Sequence, residues 1–161
     1  MKEYYKYINY YGKDILKSKK VKSQKQFIQH GNVSVYDHTY SVAVLSLYLA
    51  DKLNIHVDEK SLVRGALLHD YFLYDWHVKD KSHRLHGYTH ANTALKNAKR
   101  DFKINKIEEN MIKCHMFPLN LFSIPKYKEA KILCICDKLC AISETLPIKG
   151  ILVKISELKS L

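Results

Sequence analysis

Five side chains able to hold a metal ion stand in otherwise apolar stretches of this chain: His38, the neighbours His69 and Asp70, His115 and Asp137. Imidazole nitrogens mixed with carboxylate oxygens suit Mn, Fe, Co, Ni or Zn better than Ca or Mg. Asp137 states the case most sharply, because it interrupts Ile132-Leu133-Cys134-Ile135-Cys136 and Leu139-Cys140-Ala141, a run whose core-facing side is apolar. A carboxylate buried there without a partner carries a heavy desolvation cost. Neutral His38 and His69 cannot offset its charge, whereas a divalent ion bound among them can. The same reasoning covers Asp70, which follows Ala66-Leu67-Leu68.

The elements that must deliver these residues read as helices. A stripe of His38, Val42, Leu45, Leu49 and Leu53 predicts a helix over 36–53, with His38 one turn before Val42 on the core face. Asp58 is a good N-cap for a helix through Leu62, Val63, Ala66, Leu67 and His69. Adjacent helical residues point about 100° apart. His69 and Asp70 can therefore share an ion only at a helix end, or with Asp70 leaning toward a second ion. The polar and aromatic residues 71–85 lack clean periodicity and read as a loop or a short helical insertion. Thr89 or His90 opens a helix running to Phe102, and Asn105 with Glu108 forms a capping-box variant for the next, which carries Met111, Ile112 and His115. Pro125 precedes a helix over 126–144, with Ile132, Leu133, Cys136 and Leu139 inward. Helices over 4–17, 24–29 and 150–161 complete the set. No segment alternates as a strand, so the expected fold is all-α.

Length and composition bound the rest. The chain has 161 residues, 47% of them hydrophobic and 27% charged, which is ordinary globular usage for one domain. The longest apolar run falls short of the ~20 residues a bilayer span needs, and the N-terminus lacks the apolar core of a secretory signal. A cytoplasmic domain without a membrane span is expected. The cysteines, three of them crowded at 134, 136 and 140, have no disulfide-framework spacing and read as small core residues. The net charge of +11 comes almost wholly from lysine, since the arginines are only Arg64, Arg84 and Arg100. A solvated lysine surface explains it. The competing reading is a non-catalytic, basic, metal-containing module that binds nucleic acid, but the lysines are dispersed and no nucleic-acid motif is present.

The ordered set His38 in Tyr36-Asp37-His38-Thr39, then His69-Asp70 after Gly65-Ala66-Leu67-Leu68, then Asp137 in Cys136-Asp137-Lys138-Leu139 resembles the HD-domain metal-dependent phosphohydrolases. Its anchors lie between about residues 30 and 145 of a single HD domain spanning 1–161. The resemblance implies an HD-domain, phosphodiesterase-like helical bundle, a metal held by His38, His69, Asp70 and Asp137, and hydrolysis of a phosphoester or phosphoanhydride bond. The segments His86-Gly-Tyr-Thr-His90 and Ile112-Lys-Cys-His115 are similar to the second-metal segments of the dinuclear branch, such as the symmetrical diadenosine tetraphosphate hydrolases. That likeness adds His90 and His115 as ligands of a second divalent transition metal, so one or two ions are expected. The cyclic-dinucleotide members follow their His-Asp with a lysine three residues on and carry Gly-Tyr-Pro; here Leu73 and Gly87-Tyr88-Thr89 stand instead.

Metal-activated water is then the nucleophile on phosphorus, and Asp70 is the catalytic residue that orients it and accepts its proton. The expected substrate is a small phosphorylated molecule, a nucleotide. His86 stands either in place of His90 or behind it. His30 belongs either to the pocket mouth or to a surface helix cap. Lys138, Arg84, Lys79 and Lys81 are candidate phosphate contacts, and Tyr71, Tyr74 and Trp76 candidate base-stacking rings.

Overall fold

The computed structural model describes residues 2–81 and 84–146. Among them are eight α-helices and one two-stranded sheet. The expected helix over 4–17 is divided at Gly12 into α1 (Lys2–Tyr11) and α2 (Lys13–Lys17). A side chain at Gly12 would begin 2.5 Å from Leu67 Cδ1 and 2.8 Å from the Ile8 carbonyl, so the break falls where the backbone runs hard against its neighbours. The short α3 (Lys19–Ser23) follows.

The expected helix over 24–29 is not formed. A 3₁₀ turn (Gln24–Gln26) leads into an antiparallel pair, β1 (Ile28–His30) and β2 (Val33–Ser34). Gly31 and Asn32 make the turn, and Gly31 takes a φ of +54°, which glycine adopts without steric cost. Gly-Asn between two short runs is a hairpin signal in its own right. A side chain at Gly31 would also begin 2.6 Å from the Glu144 carbonyl. Gly31→Ala is therefore expected to lower the unfolding free energy by about 1–3 kcal/mol; an unshifted urea midpoint would contradict that close fit.

Five longer helices build the scaffold, three of them with side-chain caps. Ser34 caps α4 (Val35–Lys52), its hydroxyl accepting from the Asp37 N–H. Asp58 caps α5 (Glu59–Leu68), accepting from the Ser61 N–H at 2.7 Å. The α6 helix (His86–Asp101) begins one turn earlier than expected, which puts His86 and His90 on one face. Asn105 and Glu108 form a full capping box on α7 (Lys106–Cys114). The last described helix is α8 (Lys128–Thr145).

The α4 helix packs on α5 and α8, both of which pack on α7, and α6 lies against α7. Their shared core holds Val42, Ala43, Leu62, Leu67, Met111, Ile112, Leu133 and Cys136. Leu53 and Leu139, expected inside, are 59% and 49% exposed. On α4 the small residues Thr39, Ala43, Ser46 and Ala50 take the inner face, which turns Leu45 and Leu49 partly outward. Helices that approach closely favour small side chains over large ones at the contact. The expected helix over 150–161 lies outside the described residues. No helix among the described residues is long and apolar enough to cross a membrane. Among the described residues the fold is all-α apart from one hairpin.

Candidate metal centre

Helix ends put the chemistry in place. His38 sits in the first turn of α4, while His90 follows one turn after the start of α6. The α5 helix stops at Leu68, so His69 is its C-cap and Asp70 is free of the helical direction. His115 is likewise the C-cap of α7, and Asp137 lies in the middle of α8. All six side chains are buried, and four of them, Asp70, His90, His115 and Asp137, line a pocket of about 350 Å³.

Two ligand sets result. His38, His69 and Asp137 form one, and Asp70, His90 and His115 form the other. Within the first, Asp137 Oδ1 lies 3.1 Å from His38 Nε2 and 3.5 Å from His69 Nε2. Asp70 joins them: its Oδ2 is 3.4 Å from His69 Nε2 and 3.9 Å from His38 Nε2. Its other oxygen, Oδ1, is 3.3 Å from His90 Nε2 and 3.4 Å from His115 Nε2. One carboxylate thus turns an oxygen to each set.

The imidazoles are held from behind. Nδ1 of His69, His90 and His115 lies 2.7–2.8 Å from the carbonyls of Ala66, His86 and Ile112 respectively. A carbonyl only accepts, so each Nδ1 carries the proton and each Nε2 presents a lone pair to the centre. His38 is held the same way by the Glu144 carboxylate.

These donor atoms fit divalent ions. His69 Nε2 and Asp70 Oδ1 are buried with no hydrogen-bond partner. His90 Nε2 and His115 Nε2 face each other at 2.8 Å, although both rings donate through Nδ1. Two lone pairs so placed repel unless a cation or a proton lies between them. The buried carboxylates Asp70, Asp137 and Glu144 add three negative charges, against Lys138 as the one lysine or arginine among the described residues that line the pocket. Ions held by nitrogen and carboxylate donors satisfy all three observations together.

The same charges move the proton affinities. Burial alone would lower the pKa of His38, but hydrogen bonds to Asp137 and Glu144 outweigh it and raise the ring to about 9. Burial also opposes, and the Asp70 and Asp137 carboxylates override, a strong rise at His69. Burial would raise Asp70, yet His69, His115 and His90 hold its carboxyl well below the usual range. His90 is raised against burial by Asp70, while burial lowers His115.

A pH dependence follows, with opposite signs for stability and for metal uptake. His38 has a folded pKa above its unfolded value of about 6.5. Its protonation therefore stabilises the metal-free fold fully below that pH, and the gain is lost as pH rises through about 9. Metal must displace that proton. Affinity for Mn²⁺ or Co²⁺ is accordingly expected to increase from pH 6.5 toward 9, with proton release visible as buffer-dependent heats in calorimetry; uptake indifferent to pH would contradict this.

The remaining expected residues are placed as follows. His86 is in neither ligand set: its ring stacks on His90 at 4.4 Å and on Trp76 at 5.2 Å, and its carbonyl holds His90 Nδ1. His30, on β1, lines the pocket and packs edge-on to His38. Lys138 also lines it, its ammonium donating to the carbonyls of His115 and Cys134. Arg84, Lys79 and Lys81 line an adjoining surface hollow that shares Trp76 and His86 with the pocket. Tyr71 is fully buried beneath the site, its hydroxyl donating to Asp101, and is not a stacking surface. Its ring fills core space because the chain turns inward directly after Asp70. Tyr74 packs against Phe72 and hydrogen-bonds His86, and Trp76 faces the pocket.

Three participants escape a reading of the sequence. Gln29 on β1 donates to Asp70 Oδ2 at 2.6 Å, and Gln24 donates to the Asp70 carbonyl at 2.8 Å. Both depend on the hairpin region that was expected to be helical. Glu144 had a signal, since it lies seven residues after Asp137 and so on the same helix face.

The family model of the HD domain matches residues 35–142, which include every residue of the two ligand sets. Comparison with curated proteins and with solved structures returned no match. The matched span runs from the first residue of α4 to the last turns of α8, so the match and the metal-fitting centre coincide, and the chain belongs to the HD domain family.

Proposed function

We propose that this chain is a metal-dependent phosphohydrolase that splits a phosphoester or phosphoanhydride bond of a small nucleotide with water. The observation that carries this reading is the Asp70 carboxylate, which faces one imidazole set with each oxygen. His38, His69, Asp137 and Asp70 would hold one divalent ion, and His90, His115 and Asp70 a second. Divalent ions in such a site supply a nucleophilic water at neutral pH and positive charge against the phosphoryl oxygens.

The chain's own groups do the rest. Gln29 and Gln24 hold Asp70 by its Oδ2 and its carbonyl, which fixes the carboxylate that orients the attacking water and accepts its proton. Lys138 keeps its ammonium at the pocket wall, where two carbonyls anchor it near an incoming phosphate. Trp76, His86, Met116 and Leu119 provide a largely apolar wall for the base of the leaving nucleoside.

The test is hydrolysis of a bis-aryl phosphodiester and a panel of mono-, di- and dinucleoside polyphosphates with Mn²⁺ or Co²⁺. Turnover that disappears with chelator is expected. A folded, metal-loaded protein inert across the panel overturns the reading.

A further inference from the structure

We propose that Glu144 is a positioning residue that holds His38 for its ion and makes the His38–His69–Asp137 set the tighter of the two. This rests on the metal reading above and adds a residue to it. Glu144 Oε2 lies 2.8 Å from His38 Nδ1, with the two side chains 6% and 0% exposed. The three other imidazoles of the centre lean on backbone carbonyls. His38 alone among them is backed by a full charge.

The position of Glu144 is not one that helix formation favours. It lies one residue before the end of α8, where the helix dipole disfavours a carboxylate. Burial adds to that cost. His38 compensates that cost. Asp137 and Glu144 are two turns apart on one face of α8, so a single helix grips both ring nitrogens, Asp137 at Nε2 and Glu144 at Nδ1. The hairpin turn also packs on this end of α8, where a side chain at Gly31 would begin 2.6 Å from the Glu144 carbonyl.

A carboxylate behind an imidazole fixes its tautomer and raises its strength as a ligand, and loss of such a partner costs about 10- to 100-fold in metal affinity. Charge separates the two sets in the same direction. The first has Asp137, one oxygen of Asp70 and Glu144 behind it, whereas the second has only the other oxygen of Asp70. His30 lies close enough to His38 and Glu144 to form a third ligand group. The proton on His38 Nδ1 that Glu144 accepts stands in the way of an ion there.

Co²⁺ titration of the full chain, followed by calorimetry and by the visible absorption of bound Co²⁺, tests the assignment on wild type, Glu144→Gln and Glu144→Ala. Glu144→Ala is expected to weaken the tight site by about 10- to 100-fold, with Glu144→Gln nearer the lower end because its amide oxygen still accepts from Nδ1. The weaker site should keep its affinity, and the absorption of the first ion should shift. Circular dichroism identifies a variant that fails to fold, in which case Glu144→Gln decides. Wild type that takes up no Co²⁺ overturns the metal reading and this proposal with it. Two-step binding in wild type that is unchanged in a folded Glu144 variant overturns this proposal alone.

Discussion

Asp70→Asn is expected to reduce turnover by about 10²–10⁴-fold and to cost the protein its capacity for a second ion, with helix content unchanged. The substitution preserves shape, so packing around the side chain gives no reason for the fold to respond. Its effect is chemical. Asp70 presents Oδ1 to His90 and His115 and Oδ2 to His69, His38 and Gln29. An amide has one oxygen, so in either orientation its NH₂ faces one of those sets and repels an ion there. It also cannot accept a proton from water. Circular dichroism, elemental analysis after dialysis and phosphodiester hydrolysis measure the three consequences. Undiminished turnover with two ions bound would sink the reading of Asp70 as the shared carboxylate.

The second large effect separates the two ligand sets. His115→Ala is expected to lower the metal content from about two ions toward about one and to leave weak activity, because the first set is intact. His38→Ala removes a nitrogen from the first set, and through the shared Asp70 it should weaken the second as well, leaving almost no turnover. His86→Ala supplies the control. The ring of His86 is outside both sets, and the alanine retains the carbonyl that holds His90. It should therefore keep both ions. If His115→Ala and wild type each retain a single ion, the centre is mononuclear.

Much of this centre could be read from the chain because the features that place it are local. Asp58 and the Asn105–Glu108 box announce α5 and α7, and the ends of those helices deliver His69, Asp70 and His115. Asp137 was conspicuous as a charge in an apolar run. What escaped depends on contacts distant in sequence. Gln29 reaches Asp70 across 41 residues, and nothing in Gln-Phe-Ile-Gln declares that partner. The inner face of α4 was misjudged at Leu53 because hydrophobicity alone cannot signal that Thr39, Ala43 and Ser46 pack where a neighbouring helix comes close. The hairpin was lost for a similar reason: strands of three and two residues are too short for alternation to register.

The segment 71–85 is fastened at its root, where Asn97 donates to the carbonyls of both Tyr71 and Phe72. Beyond that clasp its described residues contribute Trp76 to the pocket wall but no atom to either ligand set. Substitutions or length changes past Phe72 are therefore expected to reshape the wall around Trp76 while the helix ends keep the buried donors in place.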